Sequence, residues 1–84
     1  MIYTLTVLPR AKRELSKIDS PHFEAVSENL LALGENPRPQ GCKKLRGRNG
    51  WRIRVGDYRV IYEIDDATET VIVLNVGHRK DIYA

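Results

Sequence analysis

The chain has 84 residues, enough for one domain (1–84) and too few for two, and a core of that size is marginal on its own. Charged residues make up 30% and hydrophobic ones 42%, which excludes a disordered chain; no apolar run is long enough to span a membrane, and residues 1–15 lack a signal core. The single cysteine, Cys42, excludes an internal disulfide and fits a reducing cytoplasm, so a soluble cytoplasmic protein without membrane contact is expected.

Tyr3, Leu5 and Val7 alternate with Thr4 and Thr6, the period of a half-buried strand. Pro9 suits the first turn of a helix, and Leu8, Ala11, Leu15 and Ile18 recur at helical spacing, with Arg10, Lys12, Arg13 and Lys17 mostly off that stripe. Ser20 is a candidate N-cap and Pro21 a first position for a second helix, whose stripe is Phe23, Val26, Leu30 and Leu33 and whose stop is Gly34. A loop over 36–41 follows, then a short extended or turn segment from Lys43 to Gly47.

The remainder is strand-like. Residues 51–55 alternate apolar and basic, Gly56-Asp57 forms a turn or bulge, residues 58–64 form a second run, and 65–68 turn again. Residues 71–76 are nearly all apolar, as in a central strand covered on both faces, with Gly77 ending it and 78–84 as a tail. The order is β-α-α-β-β-β, an α+β fold with a helical hairpin on one face of a small antiparallel sheet.

Charge is unevenly spread. The net charge is +3, yet residues 38–59 carry eight basic groups against one acid, Asp57, while residues 60–78 hold four acids and no Lys or Arg. This asymmetry points to a polyanionic partner; the plainer alternative is a solvated basic edge that keeps the sheet from aggregating. Side chains alternate across a strand, so Arg52 and Arg54 share one face, about 7 Å apart, while Trp51, Ile53 and Val55 face the helices. Which set of the next strand is buried stays open: Tyr58, Val60, Tyr62 and Ile64, or Arg59, Ile61 and Glu63. Arg79 follows the last strand, with His78 before it and Tyr83 four residues on, so an imidazole and a phenol are expected at the rim of the basic face. Cys42, His22 and His78 match no metal-ligand spacing, and no metal or other cofactor is expected.

The stretches Lys44-Leu45-Arg46-Gly47, then Trp51-Arg52-Ile53-Arg54-Val55-Gly56-Asp57-Tyr58-Arg59-Val60-Ile61-Tyr62, then Val76-Gly77-His78-Arg79-Lys80-Asp81-Ile82-Tyr83, in that order and spacing, resemble the RelE toxins of the RelE/ParE superfamily. The resemblance implies a toxin of a type II toxin–antitoxin pair that cuts messenger RNA in the ribosome. The ribose 2′-hydroxyl attacks the adjacent phosphate without a metal, leaving a cyclic phosphate and a 5′-hydroxyl. It implies a cognate antitoxin as partner, the ribosome and its messenger as targets, and contact with operator DNA only through the antitoxin. Arg54, Arg59, His78, Arg79 and Tyr83 are the expected catalytic residues; Lys43, Lys44, Arg46, Arg48 and Arg52 are the expected RNA-binding ones. Members of this family often carry lysine where Arg52 and Arg54 stand. Arginine hardly ever releases its proton, so His78 becomes the candidate base. Two other readings share the fold: a ParE-like gyrase inhibitor, and an inactive member acting only in an antitoxin-bound repressor.

Overall fold

Residues 2–82 are described by the computed structural model. In chain order the elements are β1 (Thr4–Val7), α1 (Pro9–Ser16), α2 (His22–Glu35), β2 (Lys43–Lys44), β3 (Trp51–Val55), β4 (Tyr58–Asp65) and β5 (Thr70–His78). The strands form one sheet in the order β1-β5-β4-β3-β2, and both helices contribute to a core on one of its faces. The expected α+β architecture holds.

The core collects the residues that period and hydrophobicity select. Val60, Tyr62, Val71, Val73 and Val76 from the sheet meet Ala11, Ile18, Val26, Leu30 and Leu33 from the helical layer. Each fully buried aliphatic side chain contributes about 1.5–3 kcal/mol. This settles the open question of β4: Tyr58, Val60, Tyr62 and Ile64 face the helices, and Arg59, Ile61 and Glu63 face away.

Several details depart from expectation. The sheet is mixed, because β1 runs parallel to β5, from Thr4 opposite Thr70 to Val7 opposite Val73. The segment after Cys42 supplies a two-residue edge strand, β2, pairing with Trp51 and Arg52. Strand β5 runs through Gly77 to His78, and its outer positions Ile72 and Leu74 are only half buried, since no second layer covers them. Helix α2 starts one residue later than expected; the Ser20 hydroxyl does not cap it but donates to the Glu24 carboxylate, 2.7 Å away. Gly34 lies inside that helix, where a Cβ would come within 3.2 Å of the Tyr3 carbonyl oxygen. Leu8 and Phe23 are excluded from the core, at 36% and 39% exposure.

Two polar ties fasten the irregular segments. The fully buried Tyr62 donates its hydroxyl to the Pro37 carbonyl at 2.7 Å, pinning the loop after α2 to the sheet. Burial, with Cys42 as a smaller cause, pushes its phenol above the usual range. Arg38 makes a two-pronged contact with Asp66, and the Tyr3 hydroxyl donates to the same carboxylate at 2.6 Å, joining β1, the loop and the β4–β5 turn. Bonding to Arg38, then to Tyr3, holds the Asp66 carboxyl below its ordinary range.

Tyr62→Phe leaves the Pro37 carbonyl unpaired and is expected to cost about 1–2 kcal/mol in denaturant unfolding; an unchanged midpoint would show that the tie contributes nothing. A depressed folded-state pKa at Asp66 means stability that is present above the unfolded value near 4 and is lost as pH falls through the folded one. Asp66→Asn should therefore lower the melting temperature at pH 7 and flatten the acid limb of the stability curve below about pH 4.

Candidate nucleic-acid interface

Cross-strand partners in a sheet point to the same side, so strand register fixes what the uncovered face carries. Arg54 lies directly opposite Arg59 across the β3–β4 ladder, and Arg52 lies between Lys43 on β2 and Ile61 on β4. Lys43, Arg52, Arg54 and Arg59 therefore share the face turned away from the helices. The hairpin that sets this register closes over two residues, with Gly56 at φ +59°, a value that favours glycine.

None of these cations meets a carboxylate among the described residues. Arg59 does not pair with Glu63; its Nη1 donates to the carbonyls of Gly56 at 3.3 Å and Tyr58 at 3.1 Å, which holds the guanidinium against the turn. Arg54 is exposed. Arg52 is 9% exposed, and its buried Nε has no hydrogen-bond partner. Like charges directly opposite one another cost stability, and so does a buried N–H without an acceptor. An anion placed over Arg54 and Arg59 would relieve the repulsion between them. Paired guanidinium N–H groups suit phosphate oxygens, and the charge persists at any biological pH.

The other expected residues divide. Arg79 sits in the turn after β5, where its N–H donates to the Asp57 carbonyl at 2.8 Å and its Nε lies 3.7 Å from the Asp57 carboxylate. That places Arg79 beside the β3–β4 turn, paired with the Asp57 carboxylate rather than with Asp81. Arg46 and Arg48 are exposed between β2 and β3. Lys44 belongs to the other side: it is paired with Trp51, its Nζ 5.9 Å from the indole ring and 3.2 Å from the Arg48 carbonyl.

His78 does not stand at the rim of the arginine face. It is opposite Tyr58 in register and so lies on the helix side, 5.6 Å from the Tyr58 ring in an edge-on contact, while its Nδ1 accepts the Lys80 N–H at 3.2 Å. The physical reason is the continuation of β5 through Gly77, which carries the strand alternation one residue further and turns the imidazole over. Tyr83 lies outside the described residues.

Sequence reasoning missed other neighbours of this face. Ile61 is 3% exposed although it belongs to the uncovered side, filling the space between Arg52 and Asn75. Beside it, Arg10, Glu14, Asn75, Gly77, Asp81 and Ile82 line a cleft of about 60 Å³. Asn75 was the available signal, the lone amide in an apolar strand. The approach of α1 to this edge has no local signature.

The model of the family described as the ParE toxin of type II toxin–antitoxin systems matches residues 5–83. Toxin RelG of Mycobacterium tuberculosis is 38% identical over 99% of this chain and 98% of its own. The messenger-RNA interferase toxin RelE of Escherichia coli K12 is 32% identical over 95% of this chain and 86% of its own. Among solved structures, the RelBE2 toxin–antitoxin complex from M. tuberculosis has a chain that superposes with a TM-score of 0.83 at 34% identity, over 94% of this chain and all of that one.

Replacing Arg52 by methionine exchanges a buried, unpaired Nε–H for apolar volume, and is expected to raise the unfolding free energy by about 1–2 kcal/mol. A destabilised Arg52→Met protein would show that the guanidinium is already satisfied in the fold.

Proposed function

The chain belongs to the RelE-type toxins of the ParE toxin family of type II toxin–antitoxin systems, and from that premise we propose that it is a ribosome-dependent endoribonuclease acting on messenger RNA. The observation that carries this reading is the row of uncompensated cations on one open sheet face, with Arg54 directly opposite Arg59 and Arg52 buried beside them. A ribose-phosphate backbone laid across it would set a phosphate against Arg54 and Arg59, with Arg79 approaching from the turn after β5.

The chemistry is transesterification within the RNA. The 2′-oxygen attacks the adjacent phosphorus, the bond to the 5′-oxygen breaks, and a 2′,3′-cyclic phosphate and a 5′-hydroxyl result. Negative charge builds on the phosphoryl oxygens in the transition state, where preorganised guanidiniums act most strongly. In this proposal Arg54, Arg59 and Arg79 hold the reacting phosphate and Arg52 deepens the positive potential beneath it. Lys43, Arg46 and Arg48 hold more distant RNA, and Tyr83 contributes from the chain end. A cognate antitoxin silences the protein by covering the same face, and operator DNA is reached only through that antitoxin. Solved relatives of similar fold include toxin–antitoxin complexes, which supports this partner.

The ParE description of the matching family model keeps a second reading, gyrase inhibition, in play. One experiment separates the two. In a translating extract, messenger ends are mapped by primer extension, with a plasmid supercoiling assay in parallel. Ribosome-dependent cuts are expected with the parent protein. Arg59→Ala and Arg79→Ala should each slow cutting by about 10²–10³-fold while melting as the parent does. Intact messengers together with blocked supercoiling would overturn the nuclease in favour of the gyrase reading.

A further inference from the structure

Three consecutive carbonyls at the β3–β4 turn accept hydrogen bonds from arginines. Those of Gly56 and Tyr58 take the Arg59 Nη1 at 3.3 and 3.1 Å, and that of Asp57 takes the Arg79 N–H at 2.8 Å. The Asp57 carboxylate adds a contact of its own, its Oδ1 lying 3.7 Å from the Arg79 Nε. One turn thus holds two arginines from distant parts of the chain. Tyr58 lies opposite His78 at the end of the β4–β5 ladder, and the bond from Arg79 to the Asp57 carbonyl adds one more pair beyond it. Side chains alternate along such a ladder, and opposite ones point the same way. With Tyr58 and His78 on the helix side, the next pair turns toward the face that carries Arg54 and Arg59.

Asp57 is the one acid among residues 38–59, a stretch with eight basic groups. On a face that attracts a polyanion it has the wrong sign, because it subtracts from the local positive potential. Stability does not account for it: both members of its ion pair are more than half exposed, and pairs of that kind add little. What the contact restricts is the arginine. A long side chain gives up rotamer freedom when it grips a phosphate, and one already held gives up less. A contact at Nε still leaves the donors on Nη1 and Nη2 for phosphate oxygens.

We propose that Asp57 is a positioning residue, which holds the Arg79 guanidinium ready for the RNA phosphate and acts on RNA only through Arg79. The role rests on the proposed nuclease reading for its substrate, but it shows in RNA binding whether or not the RNA is cut. It gives the single acid of the basic segment a purpose that outweighs the attraction it removes.

The test is a double-mutant cycle. Asp57→Asn, which keeps the size and turn chemistry of the residue without its charge, is made in the parent and in Arg79→Ala. Binding of a short, uncleavable 2′-O-methyl RNA to the full chain is read by fluorescence anisotropy. If net charge alone mattered, removing an acid would tighten binding. Positioning predicts the opposite sign: Asp57→Asn should bind about three- to tenfold more weakly, the scale of ordering one long side chain. Asp57→Glu, which keeps the carboxylate, should recover most of that loss. In Arg79→Ala the same Asp57→Asn change should cost nothing, or tighten binding, because the group that Asp57 holds is gone. Unchanged or tighter binding by Asp57→Asn in the parent would overturn the proposal. So would an equal loss in both backgrounds, which is the mark of a damaged turn. Messenger cutting by the parent is scored separately. If it cuts and the cycle shows no coupling, only the positioning role falls; if the coupling appears without cutting, the role stands and the nuclease reading falls.

Discussion

The central constraint on this molecule is the enforced proximity of like charges on a face that no second layer covers. Strand alternation puts Arg52 and Arg54 on the same side, and the β3–β4 register puts Arg59 directly opposite Arg54. No described carboxylate answers them. The repulsion is intrinsic to the fold and must be offset by interactions elsewhere. The apolar partners of the same strands, Ile53, Val60 and Tyr62, supply that offset on the opposite side of the sheet. A single strand pair therefore holds both the main stabilising and the main destabilising features of the protein.

Holding charges this way demands a register that does not slip, since a one-residue slip would turn the cations toward the helices and the core toward solvent. Three features resist slipping. The two-residue turn at Gly56-Asp57 fixes the hairpin, and Tyr62 ties β4 to the loop at Pro37. Ile61, apolar and buried on the cationic side, anchors that side where Arg52 would otherwise stand against Asn75 alone. The irregularity between Ile61 and Tyr62 falls on the β4–β5 ladder, so the β3–β4 ladder that carries the arginines stays regular.

This division explains what was legible in the sequence. Arg52 and Arg54 could be placed together because period-two alternation is local, and the core strands followed from the same rule. The pairing of Arg59 with Arg54 was only an inference, because β4 is apolar at Ile61 as well as at Val60 and Tyr62, and composition does not choose its buried set. The side taken by His78 depends on whether β5 ends at Gly77 or runs one residue further, and strand ends are decided by pairing with β4. The parallel contact of β1 with β5 joins segments more than sixty residues apart, which no window along the chain registers. Phe23 and Leu8 fit helical stripes yet stay partly exposed, since both stand at the very start of their helices, where the packed layer ends.

The position of His78 bears on the chemistry as well as on the fold. With its imidazole on the helix side and its Nδ1 bonded to the Lys80 N–H, the cationic face holds permanent donors and no described group that titrates near neutrality. Under the proposed nuclease reading, a face of that kind would act on a phosphodiester through charge alone. Under that reading it would favour the deprotonated 2′-oxygen and the charge-rich transition state over the ground state, with the proton leaving to water. A face without its own base should be inefficient on free RNA and depend on the surface that presents the substrate.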